Sequence, residues 1–122
     1  MKKILIIEDE LAYVRLLRDN LVPNYQVLDA QNGKAGLDKA ITEKPDLILL
    51  DIKMPIMDGM AVLKELRKDP YGKLAKVILL TNLDANEAII SQVTKDLPTY
   101  YFVKSDTKLS DLLDKIHLLI PA

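Results

Sequence analysis

The sequence predicts an α/β fold: a five-stranded parallel sheet with five helices spread over both faces. Two observations carry this. Short apolar runs alternate along the chain with longer stretches whose apolar residues recur at helical spacing. The runs Ile4–Ile7 and Leu47–Leu50 are apolar at every position, as expected of strands covered on both sides. Strand and helix in alternation imply βαβ units and hence parallel pairing.

The elements follow in order. Ile4 to Ile7 reads as the first strand. Leu11, Val14, Leu17 and Leu21 mark a helix that Pro23-Asn24 ends. Tyr25 to Ala30 is a second, more alternating strand, and Asn32-Gly33 a turn. Ala35 to Glu43 is helical up to Pro45. Leu47 to Leu50 is the third strand. Pro55 and Gly59 punctuate a loop, and Met60, Val62, Leu63 and Leu66 open the third helix. Asp69-Pro70-Tyr71-Gly72 is a turn before the fourth strand, Val77 to Leu80. Asn86 to Val93 reads as a fourth helix and Thr99 to Val103 as the fifth strand. Leu109, Leu112, Leu113 and Ile116 form the stripe of the last helix, with Thr107 or Asp106 as its cap.

At 122 residues the chain has the size of one domain, with enough apolar sequence for a core that needs no staples. Cysteine is absent, so neither disulfides nor thiolate metal sites are available, which suits a reducing cytoplasm. With 17 basic against 18 acidic residues, binding of nucleic acid by charge alone is not expected. No apolar run approaches a membrane span, and Glu8-Asp9-Glu10 cuts short the one run that could imitate a signal peptide.

The chemistry lies where the strands end. Glu8 and Asp9 close the first run, Asp51 closes the third, and Lys104 follows Tyr101-Phe102-Val103. Parallel strands that end together gather these side chains at one sheet edge, the edge where open α/β sheets bind ligands. Three carboxylates there repel unless a cation sits among them. The arrangement suggests a divalent-metal site with one reactive carboxylate and a lysine to receive an anion. Blander readings exist for each residue. Glu8, Asp9 and Glu10 also favour the dipole of the first helix, Thr81 also suits a strand, and Lys104 also suits a solvated surface. Met54, Met57 and Met60 are read as packing residues, Asp58-Gly59 as a turn, and His117 is given no function.

The chain resembles the receiver domain of bacterial two-component response regulators, the CheY-like family. The resemblance rests on Ile6-Ile7-Glu8-Asp9, on Leu49-Leu50-Asp51-Ile52-Lys53-Met54-Pro55-Ile56-Met57-Asp58-Gly59, on Leu80-Thr81, and on Tyr101-Phe102-Val103-Lys104. It runs nearly end to end, so residues 1–122 are read as one receiver domain, either standing alone or cut from a larger regulator. It implies a flavodoxin-like sheet of order 2-1-3-4-5. It also implies transfer of a phosphoryl group from a sensor histidine kinase or phosphotransfer protein to Asp51. Asp9, Asp51 and the Lys53 carbonyl would be direct Mg2+ ligands, with Glu8 acting through a water. Lys104 and the Thr81 hydroxyl would meet the phosphoryl group, and Tyr101 would turn inward as a switch. The changed surface, made by the fourth helix, fifth strand and fifth helix, would select a downstream protein. The protein would be cytoplasmic, a monomer or weak homodimer, and would catalyse only its own phosphorylation and dephosphorylation.

Lys53, Asn82 and Leu83 border the mouth of such a site and should tune the phosphoryl lifetime. Ser105 stands where the family usually has proline. A cis bond before a non-proline residue costs about 2.5–4 kcal/mol, so a trans Lys104–Ser105 peptide is expected. Other functions compete. A pseudo-receiver that only scaffolds partners is one. A magnesium-dependent phosphatase of the haloacid dehalogenase type is another, although Lys53 occupies the position where that chemistry wants a second carboxylate. A flavodoxin-like FMN binder is disfavoured, because Glu8-Asp9-Glu10 would repel phosphate.

Overall fold

The computed structural model describes residues 1–81, 100–104 and 108–122. Five parallel strands form one sheet in the order β2-β1-β3-β4-β5. They are β1 (Lys3–Ile7), β2 (Gln26–Ala30), β3 (Leu47–Asp51), β4 (Val77–Thr81) and β5 (Tyr100–Val103). The described helices are α1 (Leu11–Leu21), α2 (Gly33–Glu43), α3 (Gly59–Leu66) and α4 (Leu109–Leu119). The helix expected at 86–93 lies outside the described residues.

Strand alternation sorts the core into two clusters. Ile4, Ile6, Leu47, Leu49, Ile78 and Leu80 face one way and meet Val14, Leu17 and Leu21 of α1 and Leu112 and Ile116 of α4. Leu5, Ile7, Ile48, Leu50, Val77 and Leu79 face the other way and meet Leu37 and Ala40 of α2 and Val62, Leu63 and Leu66 of α3. Both faces of β1 and β3 are therefore covered, which is why Ile4–Ile7 and Leu47–Leu50 carry no polar position. Each such fully buried Leu or Ile contributes about 1.5–3 kcal/mol over an exposed one. Met54, Met57 and Met60 pack against the second cluster, as expected.

Boundaries shift for local reasons. α2 starts at Gly33, two residues early, because the Asn32 side chain caps it by accepting from the Ala35 amide at 2.8 Å. It stops at Lys44, which takes the left-handed conformation before Pro45. Asp58 does more than turn the chain. It caps α3 by accepting from the Ala61 amide at 2.9 Å. The cap expected at Thr107 or Asp106 is corrected: Lys108 is the N-cap of α4 and makes no side-chain capping bond. Asp111 in the first turn supplies the negative charge that end favours.

Tyr25 is buried before β2 instead of opening it. Its hydroxyl donates to the Ile120 carbonyl at 2.8 Å and lies 2.9 Å from His117 Nδ1. The hydroxyl has one proton, so Nδ1 is the donor of the second bond. His117 thus helps to tie α4 to the turn before β2.

Candidate functional site

The sheet register assembles the site. Ile7 pairs with Leu50, so the next positions, Glu8 and Asp51, are neighbours at the carboxyl end of β1 and β3. This is also where the strand order reverses, with β2 on one side of β1 and β3 on the other. Thr81 ends β4 opposite Val103, which leaves Lys104 as the first residue beyond β5. From there its long stem reaches across β4.

Glu8 and Asp51 are 1% and 4% exposed, while Asp9 is exposed. One carboxylate oxygen from each of the three lies within 4.8 Å of the others. The Lys104 ammonium donates to Glu8 Oε2 at 2.8 Å and stands 3.8 Å from Asp51 Oδ1. Its side chain is only 7% exposed. The Glu10 amide donates to the other Glu8 oxygen at 3.1 Å, fixing that carboxylate.

Burial is the largest influence on the acidity of both carboxyls. Burial pushes the Glu8 carboxyl above its ordinary value, opposed by its hydrogen bond from Lys104. It likewise raises Asp51, opposed by the Lys104 charge, reinforced by Asp9 and opposed again by the Ile52 and Lys53 amides. A cation among the three oxygens would reverse this trend. The donors are all hard oxygens, clustered and partly water-accessible through Asp9. That set fits Mg2+, which keeps several waters and takes few carboxylates.

Glycine makes the geometry possible at one point. The Gly59 amide donates to the Ile52 carbonyl at 2.7 Å, bringing the start of α3 over the end of β3. A Cβ on Gly59 would lie 2.2 Å from the Asp51 carbonyl oxygen. The intervening loop carries Ile56 at φ 70°, with 81% of its surface exposed.

The expected residues thus converge in part. Glu8, Asp9, Asp51 and Lys104 come together. Lys53 follows Asp51 closely with its side chain in solvent. Tyr101 packs against the α2–α3 cluster, whereas Phe102 packs on the α1–α4 side, as alternation requires. Asn82, Leu83 and Ser105 lie outside the described residues. Tyr13 was not anticipated. The Lys104 ammonium sits over its ring, 4.3 Å from the centroid. Burial, then the Glu8, Asp51 and Glu10 charges, push its phenol up to about 12, so it stays protonated. Its only sequence signal is its place four residues after Asp9, off the apolar stripe of α1.

Known proteins resemble this chain in sequence and fold. A family model for the response regulator receiver domain matches residues 4–117. The alkaline phosphatase synthesis transcriptional regulatory protein PhoP of Bacillus subtilis is 44% identical over 84 residues, which cover 68% of this chain and 34% of the regulator. The chain therefore spans about a third of that relative. Sporulation initiation phosphotransferase F of the same organism is 30% identical over 122 residues, covering 98% of this chain and 94% of the relative. The structure of response regulator protein TrrA from Thermotoga maritima, in complex with Mg(2+)-BeF, superposes with a TM-score of 0.82 at 35% identity, covering 98% of this chain and 100% of that one. Among the described residues no helix is long and apolar enough to cross a membrane. Sheet order, acidic cluster and sequence agree, and the chain belongs to the response regulator receiver domain family of two-component signalling.

Proposed function

We propose that this receiver takes its phosphoryl group on the Asp51 carboxylate, from a phosphohistidine of a sensor histidine kinase or phosphotransfer protein. The observation that carries this is the cluster itself: a buried carboxylate at the switch point of the sheet, beside two further carboxylates and within 3.8 Å of a buried ammonium. An Asp51 oxygen attacks phosphorus, an O–P bond forms as the N–P bond breaks, and the donor imidazole leaves as the neutral ring after taking up a proton. A carboxylate is a weak nucleophile, so positioning and charge neutralisation supply the rate.

Glu8, Asp9, Asp51 and the Lys53 carbonyl would hold Mg2+. When bound, the ion neutralises the charge that develops on the transferred oxygens. The rest belongs to the chain. The Ile52 and Lys53 amides steady Asp51. Lys104 pairs with the phosphoryl group as a point charge, and the Thr81 hydroxyl hydrogen-bonds one of its oxygens. Lys53, Asn82 and Leu83 tune the lifetime of the acyl phosphate. Tyr101 then repacks, and a surface that includes β5 and α4 selects a downstream protein in the cytoplasm. The protein acts as a monomer or weak homodimer and catalyses only its own phosphorylation and dephosphorylation.

Incubation with acetyl phosphate and Mg2+, followed by intact-mass measurement, tests the reading. The wild type should gain one phosphoryl group and Asp51→Asn none. Labelling that survives in Asp51→Asn, or fails in the wild type, overturns it.

A further inference from the structure

Lys104 has a flexible four-carbon stem, and nothing intrinsic to lysine fixes its ammonium in one place. In this fold the stem lines a cavity of about 230 Å³, together with Tyr13, Leu16, Leu80 and Phe102. That space would let the side chain swing away from the carboxylates. Besides Glu8 and Asp51, the ring of Tyr13 faces the ammonium, 4.3 Å from centroid to nitrogen. An aromatic face is electrostatically negative, and it attracts a cation most strongly where water is excluded. At 7% side-chain exposure Lys104 meets that condition. Tyr13 lies in the first turns of α1, so the helix that follows the acidic pair also supplies the seat for the lysine.

We propose that Tyr13 is a positioning residue: its ring face holds the Lys104 ammonium against the carboxylate cluster, ready for the phosphoryl group that forms on Asp51. This rests on Asp51 being the acceptor. The active element is the ring and not the hydroxyl, and it acts only through Lys104.

Three variants and two readouts test it. The rate of labelling by acetyl phosphate with Mg2+ should fall roughly 5- to 30-fold in Tyr13→Leu, the factor that a desolvated cation–π contact corresponds to. Tyr13→Phe should restore the rate. In a Lys104→Met background the Tyr13→Leu effect should vanish, since a double-mutant cycle isolates the pairwise contact. The second readout is independent of phosphorylation: the Lys104 Cε protons should show an upfield ring-current shift in wild type and Tyr13→Phe, lost in Tyr13→Leu. The proposal falls if Tyr13→Leu labels as fast as wild type, if Tyr13→Phe is as slow as Tyr13→Leu, if the loss persists without Lys104, or if the wild type shows no such shift. A wild type that takes no phosphoryl group at all sinks the functional reading and this proposal with it. A labelled wild type matched by Tyr13→Leu sinks this proposal alone.

Discussion

Lys104 is hydrogen-bonded to Glu8, at 2.8 Å, while Asp51 stands a full ångström farther off at 3.8 Å. The lysine thus compensates the most deeply buried acid of the site. Removing one partner of a buried pair leaves the other charge uncompensated, at a cost of about 3–5 kcal/mol. Lys104→Met should therefore destabilise the chelator-treated protein by about 3 kcal/mol. Adding Glu8→Gln should recover much of that loss. Urea unfolding of the two single variants and the double variant measures the coupling.

Stability should also depend on pH through the same acids. Glu8 and Asp51 are both held above their ordinary values of 4.5 and 3.8, chiefly by burial. A carboxyl raised in the folded protein binds its proton more tightly there than in the unfolded chain. Its contribution is complete below the ordinary value and is lost as pH rises through the raised one. In chelator, the melting temperature of the wild type should thus fall, relative to a Glu8→Gln/Asp51→Asn variant, as pH climbs from about 4 toward neutrality. Saturating Mg2+ should flatten or invert that difference. Melting curves of both proteins across the range decide it.

Gly59 has no room for a side chain. A Cβ would meet the Asp51 carbonyl oxygen at 2.2 Å and Ile52 Cα at 2.7 Å, backbone atoms that cannot swing aside. Gly59→Ala should cost about 2–3 kcal/mol, as overpacking does. It should also weaken divalent-cation binding by shifting the end of β3. Denaturation and a Mg2+ titration read the two effects separately.

Ile56 is a β-branched residue with positive φ, a conformation that costs an L side chain about 1–2 kcal/mol. Being mostly exposed, it has little packing to lose. Ile56→Asn should raise stability by about 1 kcal/mol, since asparagine tolerates this conformation. Equal urea midpoints for the two proteins would contradict this.

The backbone of the site was legible because it is local. Glu8, Asp9 and Asp51 announce themselves by ending runs that can only be buried strands, and parallel pairing brings strand ends together. Lys104 was legible for the same reason. Tyr13 was not: it lies off the apolar stripe of α1 and meets a lysine from the far end of the sequence, a contact no periodicity encodes. Nor was the Tyr25–His117 contact, whose partners lie at opposite ends of the chain. The left-handed turn at Ile56 gave no sign either, since nothing in an isoleucine asks for positive φ. The cap of α4 was misplaced because good capping residues, Asp106 and Thr107, stand just before the residue that takes the position.

Glu8 and Lys104 are 96 residues apart in sequence. A ribosome therefore releases all three acids long before it releases the cation that faces them. A chain stalled or cut before β5 carries an acceptor without its lysine. The ammonium arrives with the sheet's last strand, so under the proposed role of Lys104 shortened translation products should not draw phosphate from the donor.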